Sequence, residues 1–216
     1  MHHFPTNLRD HSFTDLRELE TLMRATWGHR WDYCSLYMIA KTTISHPGLI
    51  VEIGTNWGES AIVMGNAIRG TGSRIVCIDP VFRTGSIDVL DENPEKHQHY
   101  DSNLMDLFDN IAEQHLEGYI SIIPDYSQNV LARWDCGSID LLYVDGEHSY
   151  EGVKRDCEWM AHVKPGGYVI FDDWMDGVAQ AVTEYYKTHQ DSWHLAHGVW
   201  SGWEGIWNLT ALKKLS

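Results

Sequence analysis

Basic side chains are in short supply in this sequence. Lysine and arginine number 16 against 31 aspartates and glutamates, and the formal net charge is −15. A surface of that sign repels phosphate backbones and anionic headgroups, so neither a nucleic acid nor a membrane is expected as a partner, although a local basic pocket stays open. Long apolar runs are missing too. No stretch approaches the roughly 20 residues of a membrane span, and Met1-His2-His3-Phe4-Pro5 has no signal-peptide core. Cysteine is scarce: Cys34, Cys77, Cys136 and Cys157 contain no C-x-x-C pair. Free thiols in a reducing cytoplasm are therefore expected. Internal repeats and low-complexity tracts are absent as well.

The chain of 216 residues, 43% of them hydrophobic, can bury one full core and reads as a single domain over 1–216. From residue 49 onward, strands alternate with helices. Apolar runs predict strands over Leu49–Ile53, Arg74–Ile78, Tyr119–Ile123, Ile139–Val144 and Tyr168–Phe171. Helical spacing predicts helices over 57–69, 101–115, 126–134, 150–163 and 177–189. Lys164-Pro165-Gly166-Gly167 is expected to stop the fourth of these and turn into the fifth strand. Two last strands, near 193–199 and 204–211, form an antiparallel hairpin. Continuous rather than alternating apolar strands mean a sheet covered on both faces, an α/β doubly wound and mostly parallel seven-stranded architecture. Residues 1–48 carry two predicted helices, around 14–26 and 31–45, expected to cap the ligand edge of the core at 49–216. Residues 81–100 read as a mobile loop beside it.

Two acidic segments follow buried strands: Asp145-Gly146-Glu147-His148 and Asp172-Asp173-Trp174. In an open parallel sheet the carboxyl ends of neighbouring strands lie side by side, and ligands bind there. Asp145, His148, Asp172 and Asp173 should therefore converge. Three carboxylates at one edge are costly without a cation, and oxygen donors suit a hard divalent ion such as Mg²⁺. Two plainer readings compete. Asp172-Asp173 would also serve as a helix cap, and His148 would also simply precede an N-cap at Ser149. The first strand runs into Gly54-Thr55-Asn56-Trp57-Gly58-Glu59-Ser60, a loop where missing side chains let a ligand approach the backbone just before a helix. It lacks the third glycine of G-x-G-x-x-G, which argues against a dinucleotide. Asp79 ends the second strand, placed to accept from a ribose diol. Glu52 would face a ligand's positive amino group.

At these residues the sequence resembles a family. Val51-Glu52-Ile53-Gly54 with Gly58, Ser60 and Ile78-Asp79-Pro80 looks like class I S-adenosylmethionine-dependent methyltransferases. The runs Ile139 to Gly152 and Lys164 to Asp173 are more specific. They resemble the metal-dependent O-methyltransferases that modify sugar hydroxyls in macrolide and aminocoumarin biosynthesis, a pattern shared by sequences called cephalosporin hydroxylases. The likeness covers about 49–173.

The resemblance implies a Rossmann-like methyltransferase fold with S-adenosylmethionine as cofactor. Gly54, Thr55, Asn56, Trp57, Gly58 and Ser60 would hold its methionine part, with Glu52 nearby and Asp79 on the ribose. Ser127 and Gln128, with Asp125 and Tyr126 adjoining, would lie at the adenine. Asp145, touching the cofactor as well, would join Asp172 and Asp173 as ligands of Mg²⁺ or Mn²⁺. His148, at +3 from the first ligand, would be the general base, with Glu147 at +2 the competitor. More distant catechol-type relatives carry lysine and asparagine where His148 and Asp173 stand. The expected acceptor is a small-molecule hydroxyl, and homo-oligomerisation is left open. Two other classes compete: a non-haem iron hydroxylase, which needs two histidines and one carboxylate where this edge offers one and three, and a non-catalytic cofactor-binding subunit.

Overall fold

The structure, a computed structural model, describes residues 30–44, 47–81, 103–174, 176–200 and 207–215. The helix expected over 14–26 and nearly all of the 81–100 loop lie outside those residues.

Five parallel strands form first: β1 (Leu49–Ile53), β2 (Arg74–Ile78), β3 (Ile120–Ile123), β4 (Ile139–Val144) and β5 (Val163–Phe171). The antiparallel β6 (Trp193–Trp200) and β7 (Trp207–Lys214) complete a seven-stranded sheet in the order β3-β2-β1-β4-β5-β7-β6. The chain builds outward from β1 to β3, then returns to β1 and builds the other way. The expected doubly wound sheet and its closing hairpin are present.

Both faces are covered, as the continuous apolar strands require. Ile50, Ile75, Cys77, Leu141, Tyr143 and Ile170 point to one face and pack there with α1 (Arg30–Thr43), α2 (Glu59–Ala67) and α3 (Asn103–Glu113). The alternate residues Val51, Ile53, Val76, Ile78, Leu142 and Val144 meet α4 (Ser127–Leu131), α5 (Tyr150–Asp156) and α6 (Asp176–Thr188). Among the described residues no helix is long and apolar enough to cross a membrane. Cys77 and Cys157 are buried and Cys136 exposed, all three free.

Two expectations change in detail. The helix predicted over 150–163 is α-helical only to Asp156 and tightens to a 3₁₀ turn over Cys157–His162. Lys164-Pro165-Gly166-Gly167 does not precede β5 but bulges within it. Ile139 pairs with Val163, whereas Leu141 already pairs with Tyr168. Pro165 has no N–H for the ladder, and Gly166 takes a φ of 80° that glycine adopts without strain. Lys164 pairs with Asp140, whose other oxygen accepts from the Leu49 N–H, so the bulge is tied to the base of β1. α1 packs along one face of the sheet and brings its start toward the ligand edge. Leu36, Tyr37 and Ala40 are buried against the sheet beside α2, and it is Tyr33 near its start that reaches toward the edge.

Candidate active site

The sheet ladder runs one residue past the strand ends, and that places the predicted residues in a row. Asp79 N donates to Ile123 O (3.3 Å), Gly54 N to Ile78 O (2.9 Å), Asp145 N to Ile53 O (2.8 Å) and Asp172 N to Val144 O (3.0 Å). Adjacent strands lie about 4.8 Å apart, so Asp79, Gly54, Asp145 and Asp172 sit as successive steps along the carboxyl edge. Gly54 and Asp145 flank the gap between β1 and β4, where the winding reverses and where open α/β sheets bind ligands. The two loops meet backbone to backbone. A Cβ on Gly54 would fall on the carbonyl oxygen of Asp145, and Gly54 holds a φ of 84°.

The acidic segments converge as expected, and His148 joins them together. Its Nε2 lies 3.2 Å from Asp145 Oδ1 and its Nδ1 3.1 Å from Asp173 Oδ2. A carboxylate on each nitrogen favours the protonated ring, which donates from both. The hydrogen bond to Asp145 raises its pKa above 6.5, and the charges of Asp145, Asp173 and Asp172 add to this against the lowering effect of burial. When protonated, His148 in this arrangement is a counter-ion of the cluster. Asp173 reaches it from a left-handed φ of 47°, unusual without glycine.

Glu147 points elsewhere. It accepts from Ser149 Oγ (2.5 Å) and Arg155 Nη2 (3.0 Å), and it folds over Gly152, where a Cβ would come within 2.8 Å of it. Ser149 is indeed an N-cap, accepting from Gly152 N. Of the two base candidates, His148 alone faces the cluster.

One sequence assignment needs correction. Glu52 cannot face a ligand here, because it is fully enclosed (0% exposed). It accepts from Ser60 Oγ (2.5 Å), Thr55 Oγ1 (2.9 Å) and Cys77 Sγ (3.2 Å), stapling both ends of the glycine loop to β1. Burial pushes its pKa up to about 7 in spite of those bonds. The Asp79 carboxylate likewise organises the loop. Oδ2 accepts from Thr55 N and Asn56 N (both 2.9 Å), and Oδ1 from Val81 N (2.8 Å). With about four acceptor positions on a carboxylate, one remains for a ribose hydroxyl. Asp125 is occupied by Arg133 (2.6 Å), Asn129 (2.8 Å) and its neighbour Tyr126 N (2.8 Å).

The rest of the expected contacts are uneven in access. Asn56 and Trp57 are exposed at the loop tip, while Thr55, Gly58 and Ser60 are buried beneath it. After β3, Tyr126 is exposed and Gln128 half-buried. Ser127 is buried, donating to Asp156 Oδ1 (2.5 Å). Burial raises the Asp156 pKa to about 6.

Two tyrosines escaped the sequence reading. Tyr143 OH donates to Asp145 Oδ2 (3.3 Å). The strand period of two, which puts residues 143 and 145 on one face, was a usable signal. Tyr33 OH donates to Glu59 Oε2 (2.7 Å), and burial, then that hydrogen bond and the charges of Glu59, Asp145 and Asp172, raise its pKa. Nothing local to α1 announces that contact, since its partners lie on other elements.

For a metal, the donor chemistry fits: Asp145, Asp172 and Asp173 supply hard oxygen ligands from two adjacent strand ends. Their present placement is a different matter. Among the described residues no three His, Cys, Asp or Glu side chains close on one point, and the His148 ring stands between two of the carboxylates.

Comparisons with known proteins bear on this geometry. An uncharacterized protein, R132, of Acanthamoeba polyphaga mimivirus is 31% identical over 131 residues, 58% of this chain. The match spans about half (51%) of that relative's length. Among solved structures, the O-methyltransferase NovP superposes with a TM-score of 0.67 at 18% identity, over 87% of this chain and 81% of that one. TomG of Streptomyces achromogenes, an O-methyltransferase of tomaymycin synthesis solved with S-adenosylmethionine, gives 0.64 at 15% over 95% and 92%. CalS11, a TDP-rhamnose 3′-O-methyltransferase of calicheamicin biosynthesis, gives 0.58 at 17% over 99% and 96%. At these identities the likeness establishes the Rossmann-like methyltransferase fold and leaves the acceptor open. The family described as "Methyltransferase domain" matches residues 51–174, from β1 through the second acidic segment. With more than half of its length matched, the chain belongs to the methyltransferase-domain family.

Proposed function

We propose that the chain transfers a methyl group from S-adenosylmethionine to a hydroxyl of a small molecule, a sugar or a glycosylated natural product, with Mg²⁺ or Mn²⁺ held by Asp145, Asp172 and Asp173. The observation that carries this reading is the single row formed by Gly54, Asp145 and Asp172 at the switch in winding, with Asp173 and His148 beside it. The methyl donor bound by TomG and the sugar acceptor in the name of CalS11 support the two halves of it. Bound at this edge, the donor supplies a methyl group activated by a sulfonium, and the cation lowers the pKa of an acceptor hydroxyl.

The chain's own residues do the remaining work. Glu52 and Asp79 hold the glycine loop so that the exposed Asn56 and Trp57 border the crevice. A negative edge attracts a cationic sulfonium and its ammonium group. His148 accepts the acceptor's proton, for which it must first lose one of its own and release one carboxylate. Such a base contributes about 10²–10⁴-fold. Holding nucleophile and methyl in line contributes about 7–11 kcal/mol at most.

The test is incubation of the purified protein with methyl-labelled donor and a panel of sugars and catechols, with Mg²⁺ or with excess chelator. Label on a sugar hydroxyl that disappears on chelation and returns with Mg²⁺ supports the proposal. Full turnover in chelator overturns the metal assignment. Tight NAD binding with no response to S-adenosylmethionine or S-adenosylhomocysteine overturns the cofactor.

A further inference from the structure

Gly177 lies in the first turn of α6, outside every motif quoted for the site. Its φ is not among the positive values, so the backbone there does not require glycine. Its surroundings do. A Cβ at this position would meet Tyr150 N at 2.5 Å, His148 O at 2.8 Å and Ser149 C at 3.0 Å. All three are main-chain atoms, which no side-chain rotation can clear. We propose that Gly177 is a positioning residue for His148: its missing side chain lets the first turn of α6 seat on the His148–Tyr150 backbone and thereby holds the imidazole between Asp145 and Asp173.

The contact joins the two segments that carry the chemistry. One side leads back through Trp174 to Asp173 and Asp172; the other is the loop from Asp145 into α5. A second tie lies further along, where Tyr150 OH donates to Glu184 Oε2 of α6 (2.6 Å). Between these ties α5 and α6 pack side by side. The ring of His148 and the carboxylate of Asp173, 3.1 Å apart, are therefore set by one seating rather than by two independent loops. A methyl group at 177 forces a retreat of about 0.9 Å to bring the shortest contact from 2.5 Å to an ordinary 3.4 Å. Misplacements of about 1 Å cost up to about 10²-fold in rate. The glycine loop at Gly54–Ser60 runs from β1 into α2, which packs on the sheet face opposite α6, so the part of the donor site held by that loop is spared.

This inference rests on His148 as base for its effect on turnover, but not for its geometry. The experiment compares Gly177→Ala with Gly118→Ala, where an added Cβ has nothing within 4 Å. Crystal structures give the separation of His148 Nδ1 and Asp173 Oδ2. Calorimetry with S-adenosylhomocysteine gives donor affinity, and the sugar panel gives turnover. Gly177→Ala is expected to lengthen the separation beyond hydrogen-bond reach and lower kcat about 10–100-fold, with donor affinity within about twofold of the parent. Gly118→Ala should match the parent throughout. An unchanged separation in a folded Gly177→Ala protein overturns the proposal. If the parent methylates nothing, the methyl-transfer reading has failed, and the separation still decides Gly177. If Gly177→Ala shows no cooperative melt, Tyr150→Phe decides by loosening the second tie without a clash. A longer His148–Asp173 separation in that variant supports the seating, and an unchanged one overturns it.

Discussion

Glu52→Gln is the sharpest test of how the glycine loop is held. Glu52 is enclosed, and burial raises its pKa from 4.5 to about 7. In the unfolded chain the same group titrates near 4.5. Between those two values the folded state therefore binds more protons than the unfolded state, and stability must fall as pH rises. At about 1.36 kcal/mol per pKa unit the whole effect is about 3 kcal/mol. It is fully present below pH 4.5 and lost as pH passes about 7. Some of it is already gone at pH 5, so about 2–3 kcal/mol separates pH 5 from pH 8. For a chain of this length that corresponds to about 5–10 °C in Tm. A glutamine keeps the shape, and the hydroxyls of Ser60 and Thr55 can turn to accept from its amide. The assay is thermal unfolding of parent and variant across that range. Asp156, raised to about 6 by burial, and His148 add slopes of the same sign, so only the difference between the two proteins isolates Glu52. The variant should lose the part of the slope that belongs to this residue and be the more stable protein at pH 8. Parallel curves would show that Glu52 is not the buried, proton-holding group described here.

Two further outcomes are expected. The pH–kcat profile of methyl transfer should rise through a value above 6.5, because the Asp145 hydrogen bond raises His148 and only neutral imidazole accepts a proton; His148→Ala should abolish the rise and most of the turnover while Glu147→Ala has the milder effect, and the reverse order would exchange their roles. Asp79→Asn leaves at least one of the Thr55, Asn56 and Val81 N–H groups facing another donor, a cost of about 1–3 kcal/mol; a lowered Tm with weaker S-adenosylhomocysteine binding is expected, and an unchanged melt would refute the three-donor cradle.

Much of the framework was legible because strand burial leaves a plain mark. Leu49–Ile53, Arg74–Ile78 and Ile139–Val144 are the observed strands to the residue, since a strand covered on both faces is apolar over most of its length. The convergence of Asp145 with Asp172 followed from the rule that parallel strands end on one edge. The bulge in β5 was not legible, because Lys164-Pro165-Gly166-Gly167 signals a break without saying on which side of it the pairing resumes.

What the sequence by itself determined is the order of strands and helices and the set of acids delivered to the carboxyl edge, because periodicity and punctuation are local properties of the chain. What only the tertiary structure decided is the job each acid does. Glu52 was read as a ligand contact and instead holds the glycine loop, while Asp79 holds that loop and keeps one acceptor position for a ribose hydroxyl. His148, read as a base, sits between the carboxylates of Asp145 and Asp173. Glu147 was its rival and is spent on Arg155 and Ser149. A carboxylate's role is set by whichever donors come within about 3 Å of it. Here those donors come largely from other loops and strands: Thr55 and Asn56 for Asp79, Ser60 and Cys77 for Glu52, and a histidine beyond the end of β4 for Asp173.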